Sequence, residues 1–158
     1  MAKSILLLVD DEEANHHVFQ YVIGRYLPQC ELFIEDTVEG GFAAAQRIRP
    51  DCAILDVFLP DGDGISLCRR LKASLASAHF PILLISSAEM DPELRVASVE
   101  AGADDFLQRP CEHLDLVVKL RAMLRIKHAE DELRAVNKHL AELAGERSLA
   151  LWESDERY

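Results

Sequence analysis

The chain has no apolar run near the roughly 20 residues that a membrane-crossing helix requires. Its first residues lack the basic start, long apolar stretch and small-residue cleavage site of a secretory leader, so the expected compartment is the cytoplasm. Basic side chains are scarce beside acidic ones: 17 Lys and Arg against 28 Asp and Glu leave a net charge of −11. That balance disfavours attraction to nucleic acid or to an anionic lipid surface, and points to proteins or cations as partners. The four cysteines, Cys30, Cys52, Cys68 and Cys111, form no CxxC pair. Scattered mostly through apolar stretches, they read as free thiols of a reducing compartment and argue against a zinc site. No glycine-rich phosphate loop follows the first apolar run, and no Ser-His or Cys-His pairing is evident, which argues against a small-molecule enzyme.

What is present suits one globular domain with a modest appendage: 158 residues, 49% hydrophobic and 28% charged. Short apolar runs at Ile5 to Val9, Leu32 to Ile34, Cys52 to Leu55, Ile82 to Ile85 and Asp105 to Leu107 read as strands. Segments with apolar residues at helical spacing lie around 14 to 26, 38 to 48, 64 to 76, 91 to 101 and from 112 onward. Strands that are continuously apolar, interleaved with helices, predict a parallel sheet covered on both faces, a doubly wound α/β fold. In such a fold ligands gather at the carboxyl ends of the strands.

Those ends carry the chemistry. Asp10 and Asp11 follow the first run, Asp56 closes the third, Ser86 and Ser87 follow the fourth, and Arg109 and Pro110 follow the fifth. Carboxylates packed together repel, and a divalent cation relieves that repulsion. Mg²⁺ takes hard oxygen ligands and keeps several waters, so one or two carboxylates and a backbone carbonyl suffice. Capping of the next helix by Asp10 or Asp11 explains either acid alone, but not the group.

The chain resembles the receiver domain of two-component response regulators over roughly residues 3 to 126. The matching pieces are Leu8-Val-Asp-Asp-Glu12, Ile54-Leu-Asp-Val-Phe-Leu-Pro-Asp-Gly-Asp-Gly64, Leu84-Ile-Ser-Ser-Ala-Glu89 and Gly102-Ala-Asp-Asp-Phe-Leu-Gln-Arg-Pro110. The resemblance implies a flavodoxin-like sheet in the order 2-1-3-4-5. It implies phosphorylation of Asp56 by a sensor histidine kinase or phosphotransfer protein, with Mg²⁺ held by Asp11, Asp56 and the carbonyl of Phe58, and Asp10 acting through water. It makes Ser87 the hydroxyl that meets the phosphoryl group and Phe106 the aromatic switch that reports it. Such a chain is a self-phosphorylating phosphoacceptor, with autodephosphorylation possible, rather than a turnover enzyme. Ser86 competes with Ser87, one residue away. Arg109 stands where the family pattern has lysine; the charge persists, but the planar fork is larger, and weakened coupling to the 91–125 surface is expected. A receiver-like module that dimerises constitutively and no longer uses phosphate is the alternative.

Leu59-Pro-Asp-Gly-Asp-Gly64 fits an EF-hand loop only in part, because its twelfth position is Arg70 and the bidentate acid is missing. A turn is expected there, with Gly62 and Gly64 supplying positive φ. His16, His17, His79, His113, His128 and His139 show no ligand spacing and are expected on solvated helix faces.

From Glu112 the helical pattern continues without Gly or Pro to about Ala144, a rod of roughly 50 Å. Leu114, Val117, Leu120 and Leu124 are expected to face the sheet. Ile126, Ala129, Leu133, Val136, Leu140 and Leu143 repeat at spacings of three and four, the pattern of a coiled coil. The expected organisation is a receiver at 1–126, a helical extension at 127–146 that forms a parallel dimer stalk, and a flexible end at 147–158, with Gly145 closing the helix. A helix folded back on its own domain is the competing arrangement. Helices of this kind often lead to an output domain in the family.

Overall fold

The computed structural model describes residues 3–74 and 79–156, with side-chain surroundings through residue 152. The chain divides into two compact units, Met1–Lys127 and His128–Tyr158.

Among the described residues, the first unit holds seven strands, four helices and the start of a fifth. The strands are β1 (Ser4–Val9), β2 (Cys30–Glu35), β3 (Cys52–Asp56), β4 (Phe58–Leu59), β5 (Gly62–Asp63), β6 (Ile82–Ser86) and β7 (Asp105–Gln108). The helices are α1 (Glu13–Tyr26), α2 (Val38–Ile48), α3 (Gly64–Ser74), α4 (Pro92–Glu100) and α5 (His113–Glu156). Five strands pair in parallel in the order β2-β1-β3-β6-β7, which is 2-1-3-4-5 when only the long strands are counted. The other two, β4 and β5, form a two-residue antiparallel hairpin that no periodicity announces. Residues 75 and 76, expected to close α3, lie outside the described residues.

Alternation along the inner strands sorts the apolar side chains onto the two faces. Leu7, Val9, Ala53, Leu55, Ile82 and Leu84 pack with residues of α2 and α3 and with Leu94 and Ala97 of α4. Leu6, Leu8, Ile54, Leu83 and Ile85 pack instead with Phe19, Val22 and Ile23 of α1 and with Leu116, Val117, Leu120, Met123 and Leu124 of α5. A fully buried leucine of this kind contributes roughly 1.5–3 kcal/mol of transfer free energy. β1, β3 and β6 are therefore held on both sides, and the loops after them are fixed at one edge of the sheet.

Two expectations for α5 change. Leu114 is exposed, together with Val118 one turn on, while Leu116 and Met123 take the buried positions. The buried set 116, 117, 120, 123 and 124 follows a single helical stripe, and Leu114 falls outside it. The helix also passes through Gly145 and runs to Glu156. Interior glycine costs a helix only about 1 kcal/mol, no proline follows it, and Ala144, Glu146, Arg147, Leu149 and Ala150 around it all tolerate helix well.

The glycines of the hairpin also differ from expectation. Gly102 is the glycine with positive φ among the described residues, and Gly62 and Gly64 are not. What Gly64 supplies is space: a Cβ there would stand 2.1 Å from the Asp56 carbonyl oxygen. Among the described residues, no helix is long and apolar enough to cross a membrane.

Candidate functional site

Strands β1 and β3 are neighbours, and Val9 pairs with Leu55. The residues that follow, Asp10 and Asp56, therefore emerge side by side at the carboxyl edge. Asp10, Asp11 and Asp56 each offer one carboxylate oxygen, and the three atoms lie within 4.8 Å of one another. Asp10 is 0% exposed and Asp56 7%, whereas Asp11 is open to solvent.

Asp10 is heavily committed. Its Oδ1 accepts from the Glu12 N–H at 2.9 Å, which ties the loop to the start of α1. Its Oδ2 accepts from Asn15 Nδ2 at 3.0 Å and from Arg109 Nη2 at 2.9 Å. Its carbonyl accepts from His16 Nε2. Asn15 and His16 were missed in the sequence, where a helix start explains both; the one available signal was their place in the first turn after the acids.

Asp56 Oδ1 accepts from the Phe58 N–H at 3.1 Å, and Arg109 Nη1 stands 3.9 Å from Asp56 Oδ2. Burial pushes the Asp56 carboxyl up to about 6. The Phe58 N–H pulls it down, the Asp10 charge raises it, Arg109 lowers it and Asp11 raises it. Phe58 opens β4, with its side chain exposed.

The two serines after β6 separate clearly. Ser86 is buried, and its hydroxyl donates to the Ala88 carbonyl and accepts from the Ala88 N–H. Ser87 is exposed. It lines a cleft of about 340 Å³ together with Arg109, Asn15, Phe19, Leu107 and His113.

Phe106 is half-buried in β7 and packed against the core that α2, α3 and α4 cover. The guanidinium of Arg95, from α4, sits 5.4 Å from the centre of its ring. The structure thus brings Asp10, Asp11, Asp56 and Arg109 together, puts Ser87 on the adjoining cleft, and leaves Phe106 on the other face of the sheet.

Hard carboxylate oxygens at this separation, one group open to water and the others anchored by N–H donors, are a donor set that suits Mg²⁺. The geometry also suits phosphoryl transfer, which depends on positioning and charge.

The family model for the response regulator receiver domain matches residues 6–121. Response regulator PleD of Caulobacter vibrioides is 33% identical over 146 residues, covering 89% of this chain and 31% of PleD. The receiver domain protein (CheY-like) of Methanospirillum hungatei shares the fold with a TM-score of 0.74 at 23% identity, over 81% of this chain and 98% of that one. The receiver domain of sensor histidine kinase PA1611 from Pseudomonas aeruginosa, solved with a magnesium ion coordinated in its active-site cleft, gives a TM-score of 0.69 at 24% identity, over 78% of this chain and 98% of that one. The chain spans between 31% and 61% of the length of such curated relatives.

Proposed function

The chain belongs to the response regulator receiver family, and from that premise we propose that it is a phosphoacceptor switch in which Asp56 takes a phosphoryl group from a histidine kinase or phosphotransfer protein. The observation that carries the reading is the meeting of three carboxylates within 4.8 Å, with one arginine against two of them.

Asp11 and Asp56, with the Phe58 carbonyl, would hold Mg²⁺, and Asp10 would act through water. When bound, the ion supplies positive charge that offsets both the clustered carboxylates and the phosphoryl oxygens. The Phe58 N–H fixes one Asp56 oxygen and leaves the other, Oδ2, on the side of Arg109. An Asp56 oxygen attacks phosphorus; the O–P bond forms as the N–P bond to the donor imidazole breaks, and the imidazole keeps the electron pair. Arg109 holds a permanent charge beside the oxygens that gain it. Ser87, with its hydroxyl at the cleft, donates to the new phosphoryl group.

The readout is relayed through the 91–125 surface. Phe106 turns as Ser87 moves, and the Arg95 guanidinium over its ring adds an attraction that any such turn must break or carry along. Arginine at 109 weakens this coupling. The output is a further domain or protein that α5 reaches. Leu133, Val136, Leu140 and Leu143 are exposed on α5, and this exposed apolar stripe favours a homodimer through that helix. It also supports a second reading, a constitutive dimerisation module that no longer depends on phosphate.

Intact mass separates the two. Incubated with Mg²⁺ and a small phosphodonor, or with the cognate kinase, the protein gains one phosphoryl group and Asp56→Ala does not. No Asp56-dependent adduct under either condition would leave the constitutive module.

A further inference from the structure

Arg109 does more than balance charge near Asp56. Its fork bonds Asp10 Oδ2 through Nη2 at 2.9 Å while Nη1 stands 3.9 Å from Asp56 Oδ2, so one cation tethers two of the three acids. A carboxylate offers about four lone-pair sites. Three of Asp10's already face donors: Glu12 N–H at Oδ1, and Asn15 Nδ2 and Arg109 Nη2 at Oδ2. Asp10 is also 0% exposed, and a buried carboxylate gives up its counter-ion at high cost.

We propose that Arg109 is a tethered internal cation that competes with Mg²⁺ for Asp10 and lowers the cluster's affinity for the ion. This rests on the cluster being the Mg²⁺ site of the proposed phosphoacceptor. An ion drawn to this cluster must share Asp10 and Asp56 with a guanidinium that already spans them. A lysine ammonium is one point charge on a flexible stem. It must serve both acids from a single nitrogen, without a rigid fork to hold them at a set separation, and it moves aside more easily. Arginine at 109 therefore sets the magnesium concentration at which the switch is armed. It is a positioning residue, acting on the metal through Asp10.

The test is calorimetric titration of Mg²⁺ into the metal-free, full 158-residue chain, with no phosphodonor present. Arg109→Lys is expected to bind Mg²⁺ about 3- to 10-fold more tightly than the wild type, a modest change for an ion-pair contact. In an Asp10→Asn background, the same Arg109→Lys exchange is expected to change affinity less than about 2-fold, because the coupling runs through that carboxylate. The amide shifts of Asp10 and Glu12 on Mg²⁺ addition report the same difference independently. Equal affinity of wild type and Arg109→Lys, or a gain that persists unchanged in Asp10→Asn, overturns the proposal. If Arg109→Lys does not fold by circular dichroism, Arg109→Gln replaces it, with the same two outcomes. Failure of phosphorylation at Asp56 would leave this affinity ratio untouched, so the two ideas fail separately.

Discussion

Gly64 lies against the backbone of Asp56: a Cβ at Gly64 would stand 2.1 Å from the Asp56 carbonyl oxygen and 3.3 Å from the Val57 Cα. The Gly64 N–H also donates to the Val57 carbonyl at 2.8 Å. The start of α3 is thus docked on the backbone that aims Asp56. Gly64→Ala pushes backbone against backbone, which cannot yield as a side-chain tip does. It should destabilise the protein by about 2 kcal/mol or more and reduce the Asp56 phosphoryl adduct. At Gly62 the added methyl would meet only the Val38 Cγ2 at 3.3 Å, so Gly62→Ala should cost less than about 1 kcal/mol. Urea midpoints for the two variants decide it; equal midpoints would show that the loop adjusts.

The Asp56 carboxyl titrates near 6 rather than its ordinary 3.8, with burial as the largest cause. Between those values the folded protein binds more protons than the unfolded chain. Stability contributed by the neutral acid is therefore full below about pH 4 and is lost as pH rises through about 6. Asp56→Asn has no such loss. In metal-free buffer its stability advantage over wild type should open between pH 4 and 6 and level off above pH 7 at about 1–3 kcal/mol. Saturating Mg²⁺ should shrink that gap. Urea unfolding at four pH values is the measurement, and a gap that does not change with pH would contradict the account.

Asp104 and Asp105 stand within one of the four matching motifs, yet their roles appear only in three dimensions. Asp104 Oδ2 accepts from the Ile82 N–H at 2.8 Å and from Lys72 Nζ at 3.0 Å, closing the amino end of the buried strand β6. Asp105 pairs with Lys119 of α5 at 2.7 Å. Asp104→Ala strands the Ile82 N–H and should cost about 1–3 kcal/mol. Asp104→Asn keeps an acceptor and should cost less than half as much. Thermal melts of both variants test the claim, which fails if Ala and Asn are equivalent.

The fold was legible because β1, β3 and β6 are buried on both faces, and such strands must read as unbroken apolar runs. Asp10, Asp11 and Asp56 were legible for the same reason: the runs end where the acids begin. Arg109's grip on Asp10 was not, since it joins residues 99 positions apart through a side chain whose direction no periodicity encodes. Ser86 and Ser87 could be told apart only by the turn, where Ser86 spends its hydroxyl on Ala88. Leu114 misled because spacing alone admits neighbouring stripes on a helix, and packing against β-strands chooses one of them.

The second unit poses the question that packing leaves open. Leu133, Val136, Leu140 and Leu143 are 60%, 55%, 56% and 47% exposed, at the alternating spacing of a two-stranded seam. Parallel pairing would bury them against the same residues of a second copy. It would also place Arg147, which follows Leu140 by seven positions, within reach of the second copy's Glu146, so the single charged seam position has an acid to meet. Acidic substitutions within the seam, Leu133→Glu with Leu140→Glu, would set like charges opposite each other. They should weaken dimerisation at least about 100-fold while leaving the fold of the first unit intact. Light scattering across a concentration series reads the change. A wild type that stays monomeric at every concentration would show that this stripe does not pair with a second copy.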